Sequence, residues 1–482
     1  MKRKYLPLNR LLLALALGTV NALAADGTWI LNGSGNWSNT TSAWSSNVIA
    51  DGVGATATFT LNLSANRNFT FDTTSRTLGT LNTSATGRSS NFLTSGGAIL
   101  TLDNTGSTNA VINVDAASGQ NHNINVPIQL MDSFNITNGL TSASGKSLIM
   151  NNTITVKSGA SNSGNLTITN NSTLGGTPMT NFNGLISDGA GSISFVNAAG
   201  IVNIANAGNT FSGTTTNTSG IIRIDNATAL QNSALNTTGS ITGSATEGLR
   251  LNTGVTTLTL GGLTGSKNIN ASGTGVFSTA SSNYGSVTAL TLNPGTGKSY
   301  SYSGAIEDGA AGMTLTKTGA GTQTLGGTST YTGDTLVSAG TLFVNGSLSS
   351  ATNDVSVGSS GTIGGDGSIA GSLAFASGAD FVFSTTMTLD VVGAVTFGSF
   401  GIADLVGLDS SVAAGTYTLI NGAVDFTNVI NVGLANAVSL GGGKSAYLQS
   451  GSLQVVVTAI PEPGAAVLGG LGLLALLRRR RN

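Results

Sequence analysis

Phe182-Asn183-Gly184-Leu185-Ile186-Ser187-Asp188-Gly189 is echoed by Tyr302-Ser303-Gly304-Ala305-Ile306-Glu307-Asp308-Gly309, 120 residues later. Two further echoes keep that offset: Asn209-Thr210-Phe211-Ser212-Gly213 against Ser329-Thr330-Tyr331-Thr332-Gly333, and Gly220 against Gly340. Chance matches would not keep one offset. Retained spacing suits stacked coils, in which an inserted residue throws later strands out of register. The chain is therefore expected to be a repetitive solenoid rather than a fold around one closed centre.

Around these echoes the local period is two. Ala55-Thr56-Ala57-Thr58-Phe59-Thr60-Leu61-Asn62-Leu63 alternates apolar with polar residues, as a half-buried strand does. Leu166-Thr167-Ile168, Leu258-Thr259-Leu260 and Leu290-Thr291-Leu292 repeat the pattern in miniature. Clusters of Asn, Gly, Ser and Asp separate such segments and supply the turns. Only Pro127, Pro178 and Pro294 interrupt the body, so ladders can run nearly unbroken. Stacked Asn or Thr side chains can form ladders along the axis of such a coil. Rungs of ~20 to 25 residues would give about 20 rungs and a rod on the order of 90 Å.

Lys317-Thr318-Gly319-Ala320-Gly321-Thr322-Gln323-Thr324-Leu325, with Tyr331-Thr332-Gly333 and Ala339-Gly340-Thr341-Leu342, resembles the autotransporter-associated β-strand repeat. The good copy runs over 304–348 and a degenerate one over 184–224. The resemblance implies an all-β fold, an elongated right-handed parallel β-helix or β-solenoid, of the kind found in autotransporter passenger domains. Autotransporters end in a membrane barrel of ~10-residue alternating strands with aromatic girdles. The segment after Asp390 is too short and too poor in aromatic residues for one, so the expectation extends to the passenger's fold and not to its secretion route.

The two ends differ from this body. Lys2, Arg3, Lys4 and Arg10 precede or flank the apolar run Leu11–Leu17, and Ala22-Leu23-Ala24 forms an A-x-A site, predicting a signal helix cleaved after Ala24. At the other end Pro461-Glu462-Pro463 is followed by the apolar Gly464–Leu477 and then by Arg478, Arg479, Arg480 and Arg481. Consecutive arginines are expensive to move through a membrane, so this end predicts a short transmembrane-type helix with a cytoplasmic stop. In this order the parts resemble the PEP-CTERM sorting signal of Gram-negative envelope proteins. That resemblance implies recognition of Pro461, Glu462 and Pro463 by an exosortase, a membrane-embedded transpeptidase-like enzyme, with signal peptidase acting at Ala24. The expected organisation is 1–24 signal peptide, 25–395 β-solenoid, 396–459 β-rich C-terminal cap and 460–482 sorting and anchor segment.

Composition excludes several functions. Of 19 basic residues four lie in the leader and four in the tail, leaving 11 against 20 acidic residues, a balance of −9. Nucleic acid needs a basic face, so it is not an expected partner. With Cys absent, disulfides cannot contribute, and burial with backbone hydrogen bonding must hold the fold. At 39% hydrophobic and 8% charged, the chain is too apolar and too weakly charged for intrinsic disorder.

Candidate chemistry is sparse. His122 is the single histidine, set in Gly119-Gln120-Asn121-His122-Asn123, and a surface turn is expected for it. Without further histidine or cysteine a zinc-type site lacks ligands. Asp188 recurs as Asp308 beside Glu307, and a carboxylate repeated at rung corners points to a turn role rather than a unique catalytic one. Gly364-Gly365-Asp366-Gly367 resembles one unit of a calcium-binding repeat but occurs singly, so no metal and no cofactor is expected. Trp29, Trp37 and Trp44 are expected to cap the first rung, a sugar-stacking platform being the functional alternative.

The preferred expectation is a non-enzymatic, exported structural or adhesive β-solenoid of the cell envelope or extracellular matrix. Its partners would be the processing enzymes, the membrane before processing, and exopolysaccharide or surface glycans. Two alternatives are kept. One is a β-helix lyase or hydrolase acting on polysaccharide, with convergent carboxylates near Arg223, Arg250 or Lys267. The other is a passenger secreted through a separate outer-membrane barrel.

Overall fold

The computed structural model describes residues 24–460, apart from 40–41, 116–119, 141–144, 173–178, 240–246, 273–274 and 279–281, together with 472 and 475. The signal helix, with Ala22, and the C-terminal transmembrane-type helix, with Pro461, Glu462, Pro463 and Arg478 to Arg481, lie outside the described residues. Among the described residues no helix is long and apolar enough to cross a membrane.

Strands stack in parallel throughout the body. On the first face Gly27–Trp29 pairs with Thr56–Phe59, and that strand with Thr80–Thr83. Ala110–Val114, Phe134–Asn138, Asn165–Asn171 and Ser192–Ala199 continue the ladder. Sixteen parallel steps along this face reach Gly415–Val424. A second face runs from Gly35–Asn36 to Gly248–Leu251, and a third from Arg76–Leu78 to Ile186–Ser187, both wholly parallel. The coil is thus a three-sided solenoid. At ~4.8 Å per tier its seventeen tiers span about 75 Å, shorter than the rod expected from rungs of 20 to 25 residues.

Period two puts alternate side chains inside. In Thr56–Phe59 the inward Ala57 and Phe59 are buried, and Leu81, Ile112 and Ile136 continue the column of Ala57. Leu100, Leu130 and Ile154 line the third face from inside. Burial of such side chains is worth roughly 1.5–3 kcal/mol each, which carries a chain with no disulfides.

The coil does not need equal rungs, contrary to the reading of the fixed offset. Successive partners on the first face are separated by as few as 18 residues (Val355 to Leu373) and as many as 34 (Phe134 to Ile168). Surplus residues leave at the corners, and each strand takes its register from the tier below. The 120-residue offset corresponds to five tiers of unequal length, from Ser192–Ala199 to Thr314–Lys317. What repeats is a set of corner devices. Asp188 accepts from the amides of Ile193 (2.8 Å) and Ser212 (3.1 Å), and Asp308 from those of Met313 (3.2 Å) and Thr332 (2.9 Å). Asn209 caps the Ile186 amide at 2.9 Å as Ser329 caps that of Ile306 at 3.2 Å.

The ladder of parallel strands on the first face ends with Gly415–Val424. Gly415–Val424 pairs antiparallel with Leu453–Ala459, which pairs with Lys444–Gln449, and that strand with Val438–Gly441. The turn Gly441-Gly442-Gly443 has φ of 80°, 56° and 72°, a left-handed run that glycine adopts without strain.

Candidate functional site

Ala24 is exposed just before the first strand. Asp188 and Asp308 are occupied by the corner amides above, and Glu307 accepts from Asn270 Nδ2 at 3.0 Å. Arg223 and Arg250 stand in register on the second face. Arg223 Nε lies 3.0 Å from Asp225, and its guanidinium also donates to Asn252 at 2.9 Å. Burial first, and the Arg223 charge second, pull the Arg250 pKa down. Lys267 sits one corner away, its carbonyl accepting from the Tyr302 hydroxyl at 2.8 Å.

Two readings are corrected. The sequence points to a surface turn for His122; the structure puts it in the strand His122–Ile124, fully buried. Its Nδ1 is 2.6 Å from Ser90 Oγ and 2.9 Å from Thr83 Oγ1, both also buried. Burial holds its pKa down to about 4, so the ring is neutral at physiological pH. A serine beside a histidine suggests a nucleophile, but this pair is sealed inside the coil. The turn-forming composition of the sequence Gly119-Gln120-Asn121 conceals that positions 122 and 124 share the inward phase. The second is the alternative of a tryptophan platform for sugar, which gives way to the cap expected over the first rung. Trp29, Trp37 and Trp44 are at most 1% exposed. They pack with Phe59, Phe69 and Phe71, Trp37 lying 4.3 Å from Phe71 between ring centroids. Their indole N–H groups donate to the carbonyls of Leu31, Ala50 and Trp37. The apolar rings plug the first tiers while the polar edges stay satisfied.

Stacking also gathers polar groups that are far apart in sequence. Asn123 donates to Asn91 (2.7 Å) and Asn91 to Asn68 (2.9 Å) on the second face. Inside the coil Asn170, Asn197 and Asn217 form a buried ladder with links of 2.7 and 2.8 Å. At the corner after the third face Asp103 and Asp132 come together. Burial first and Asp132 second raise the Asp103 pKa, while Lys157 acts the other way. Asp132 also accepts from the Asn104 amide at 2.7 Å.

The open polar site lies at the corner leading into the second face. A cavity of about 640 Å³ is lined by Ser64, Ala65, Asn66, Arg88, Ser89, Gln120 and Lys146. The register pairs Ser90 with His122 and His122 with Leu148, so Arg88, Gln120 and Lys146 hold the same position in three successive tiers. The corner backbone is tied tier to tier: Arg67 N donates to Ser89 O, Ser90 N to Asn121 O and His122 N to Ser147 O, at 3.0 to 3.2 Å. Asn66 and Asn121 cap the amides of Ser89 (3.2 Å) and Ser147 (2.9 Å). The corner therefore presents cations, amides and hydroxyls from a stiff frame. In sequence Arg88, Gln120 and Lys146 are 32 and 26 residues apart, and no motif marks them.

No curated protein and no solved structure matches the chain. One family model does, the passenger-associated-transport-repeat, over residues 315–344. That stretch spans the strands Thr314–Lys317, Thr322–Leu325, Thr328–Ser329 and Thr335–Val344, and it begins beside Lys317. Lys317 is buried, and its Nζ donates to the carbonyls of Thr318, Gly319 and Ala339 at 2.6, 2.9 and 2.9 Å. The ammonium thus clasps one tier to the next, and burial draws its pKa down to about 8. Within the coil, then, the chain carries a passenger-associated transport repeat at its most regular tiers.

Proposed function

We propose that this chain is an exported, non-enzymatic structural or adhesive rod of the bacterial envelope or matrix, cleaved after Ala24 and sorted at Pro461-Glu462-Pro463 by an exosortase. The supporting observation is a continuous parallel coil carrying the passenger-associated repeat. A coil of this kind grows by adding tiers and offers a long polar flank for contact. Crossovers between parallel strands favour a right-handed coil. Mass analysis of the C-terminus from envelope fractions tests the processing. Wild type should lack Arg478–Arg481, and Glu462→Ala should retain them; an intact tail in wild type would contradict sorting.

A polysaccharide-acting enzyme is the second reading, favoured by the Asp103–Asp132 pair with Lys157 nearby. It requires that Asp132→Asn abolish release of reducing or unsaturated ends from acidic polysaccharide while leaving the coil folded. Absence of such release by wild type supports the non-enzymatic rod.

A further inference from the structure

We propose that the corner groove of Ser64, Asn66, Arg88, Gln120 and Lys146 is a binding subsite for a linear polysaccharide bearing carboxylates; this deepens the adhesive reading and rests on it. Three observations carry it. First, Arg88 and Lys146 stand two tiers apart, ~10 Å along the axis, with the Gln120 amide between them. That spacing suits carboxylates two sugars apart along such a polymer, the sugar hydroxyls meeting the amide and serine groups between. Second, the cations are concentrated here against an acidic background. Arg67, whose guanidinium donates to Ser64 Oγ at 2.9 Å, adds a third positive charge at the same corner. Asp115, at the exit of the strand Ala110–Val114, is the acidic residue of this corner. Another open cavity, of about 400 Å³ near the first strand, is lined by Asp26 and carries no cation.

Third, the lining selects among anionic polymers. The groove has no aromatic side chain, whereas single-stranded nucleic acid is held by stacking its bases on aromatic rings. Ala65 is its one apolar member, so lipid or an apolar peptide gains little by entering. Neutral sugars, which bind through aromatic faces, are likewise poorly served. Carboxylates take up charge-assisted hydrogen bonds from Arg and Lys, and the frame behind those residues is already ordered before binding.

The test uses the purified full-length protein and polygalacturonate at low ionic strength, with dextran, single-stranded DNA and polyphosphate as comparison polymers. Arg88→Gln with Lys146→Gln should weaken polygalacturonate binding roughly tenfold, as loss of one exposed and one half-buried charge contact implies. Arg223→Gln with Arg250→Gln removes the same charge from another part of the flank and should change binding less than twofold. Equal losses in the two double variants, or none in the first, overturn the site. Dextran, DNA or polyphosphate binding as tightly as polygalacturonate overturns the ligand class. Arg88 is exposed and Lys146, Arg223 and Arg250 are half-buried, so unchanged thermal unfolding of both double variants is the control that binding alone is read. Failure here leaves the export reading standing, because the C-terminal mass measurement tests that independently.

Discussion

Between Gly27 and Gly262 a tier of the first face takes from 20 to 34 residues, whereas between Leu315 and Val395 it takes from 18 to 22. The two regions share their corner devices and differ in how evenly these recur. In the first, Asn66, Asn121 and Asp188 cap amides of the following tier, and Gly191 and Gly220 lie against the carbonyl oxygens of Gly164 and Gly200. In the second, Asp334 and Asp354 cap the amides of Asp354 and Ser372, and the glycine corners fall in one column. A Cβ on Gly346 would overlap the carbonyl oxygen of Gly327, and one on Gly367 that of Gly346. Such a corner leaves no room for surplus residues. The difference in tier length explains why the family model matches the second region only: near-constant spacing is what a repeat pattern detects.

The largest effect expected breaks the first region alone. Trp37→Ala removes a fully buried ring from the aromatic plug and should cost about 3–5 kcal/mol. Because each tier contacts mainly its neighbours, hydrogen exchange should show the first tiers opening while residues 315–395 stay protected. Uniform loss of protection would mean that the two regions fold as one unit.

Gly346→Ala should destabilise the second region by about 3 kcal/mol, since the obstructing atoms are backbone and cannot swing away. Its counterpart, Gly106→Ala, places a Cβ in open space at a φ of 68° and should cost only about 1 kcal/mol. Denaturant midpoints compare the two, and equal losses would remove the distinction between the corners.

Acid should separate the regions in another way. His122 titrates near pH 4 when folded and near its ordinary 6.5 when unfolded. Between those values the unfolded chain binds the proton and the folded one does not. Its contribution is therefore complete above pH 6.5 and lost as pH falls through 4, amounting to about 3 kcal/mol. Exchange protection around residues 80–150 should fall over that window. His122→Gln should flatten the dependence, and an unaltered acid profile in that variant would assign the acid sensitivity elsewhere.

The smallest effect tests the buried ladder. Asn197→Ala leaves the side chains of Asn170 and Asn217 with a lost partner and should cost about 1–3 kcal/mol. Half-buried Asn91→Ala, in the outer ladder, should cost less than 1 kcal/mol, because water reaches that face and replaces the partner. A thermal shift for each variant is sufficient to rank them.

Much of the coil is readable from residues close together in sequence. Thr56–Phe59 alternates because strand side chains point to opposite faces, and Asp188 and Asp308 advertise their corners by recurring. His122 misleads because the turn-forming residues before it hide its inward phase. The groove is invisible for a different reason: Arg88, Gln120 and Lys146 belong to three tiers, and only the corner lengths between them set which residue lies over which.

The sequence by itself determined that the chain would form repeated short strands between turns, because alternation and turn chemistry are local properties that each short segment carries. Only the tertiary structure decided which polar groups meet. Pairing with the tier below sets each strand's register, so a column of side chains exists only once the whole stack has formed.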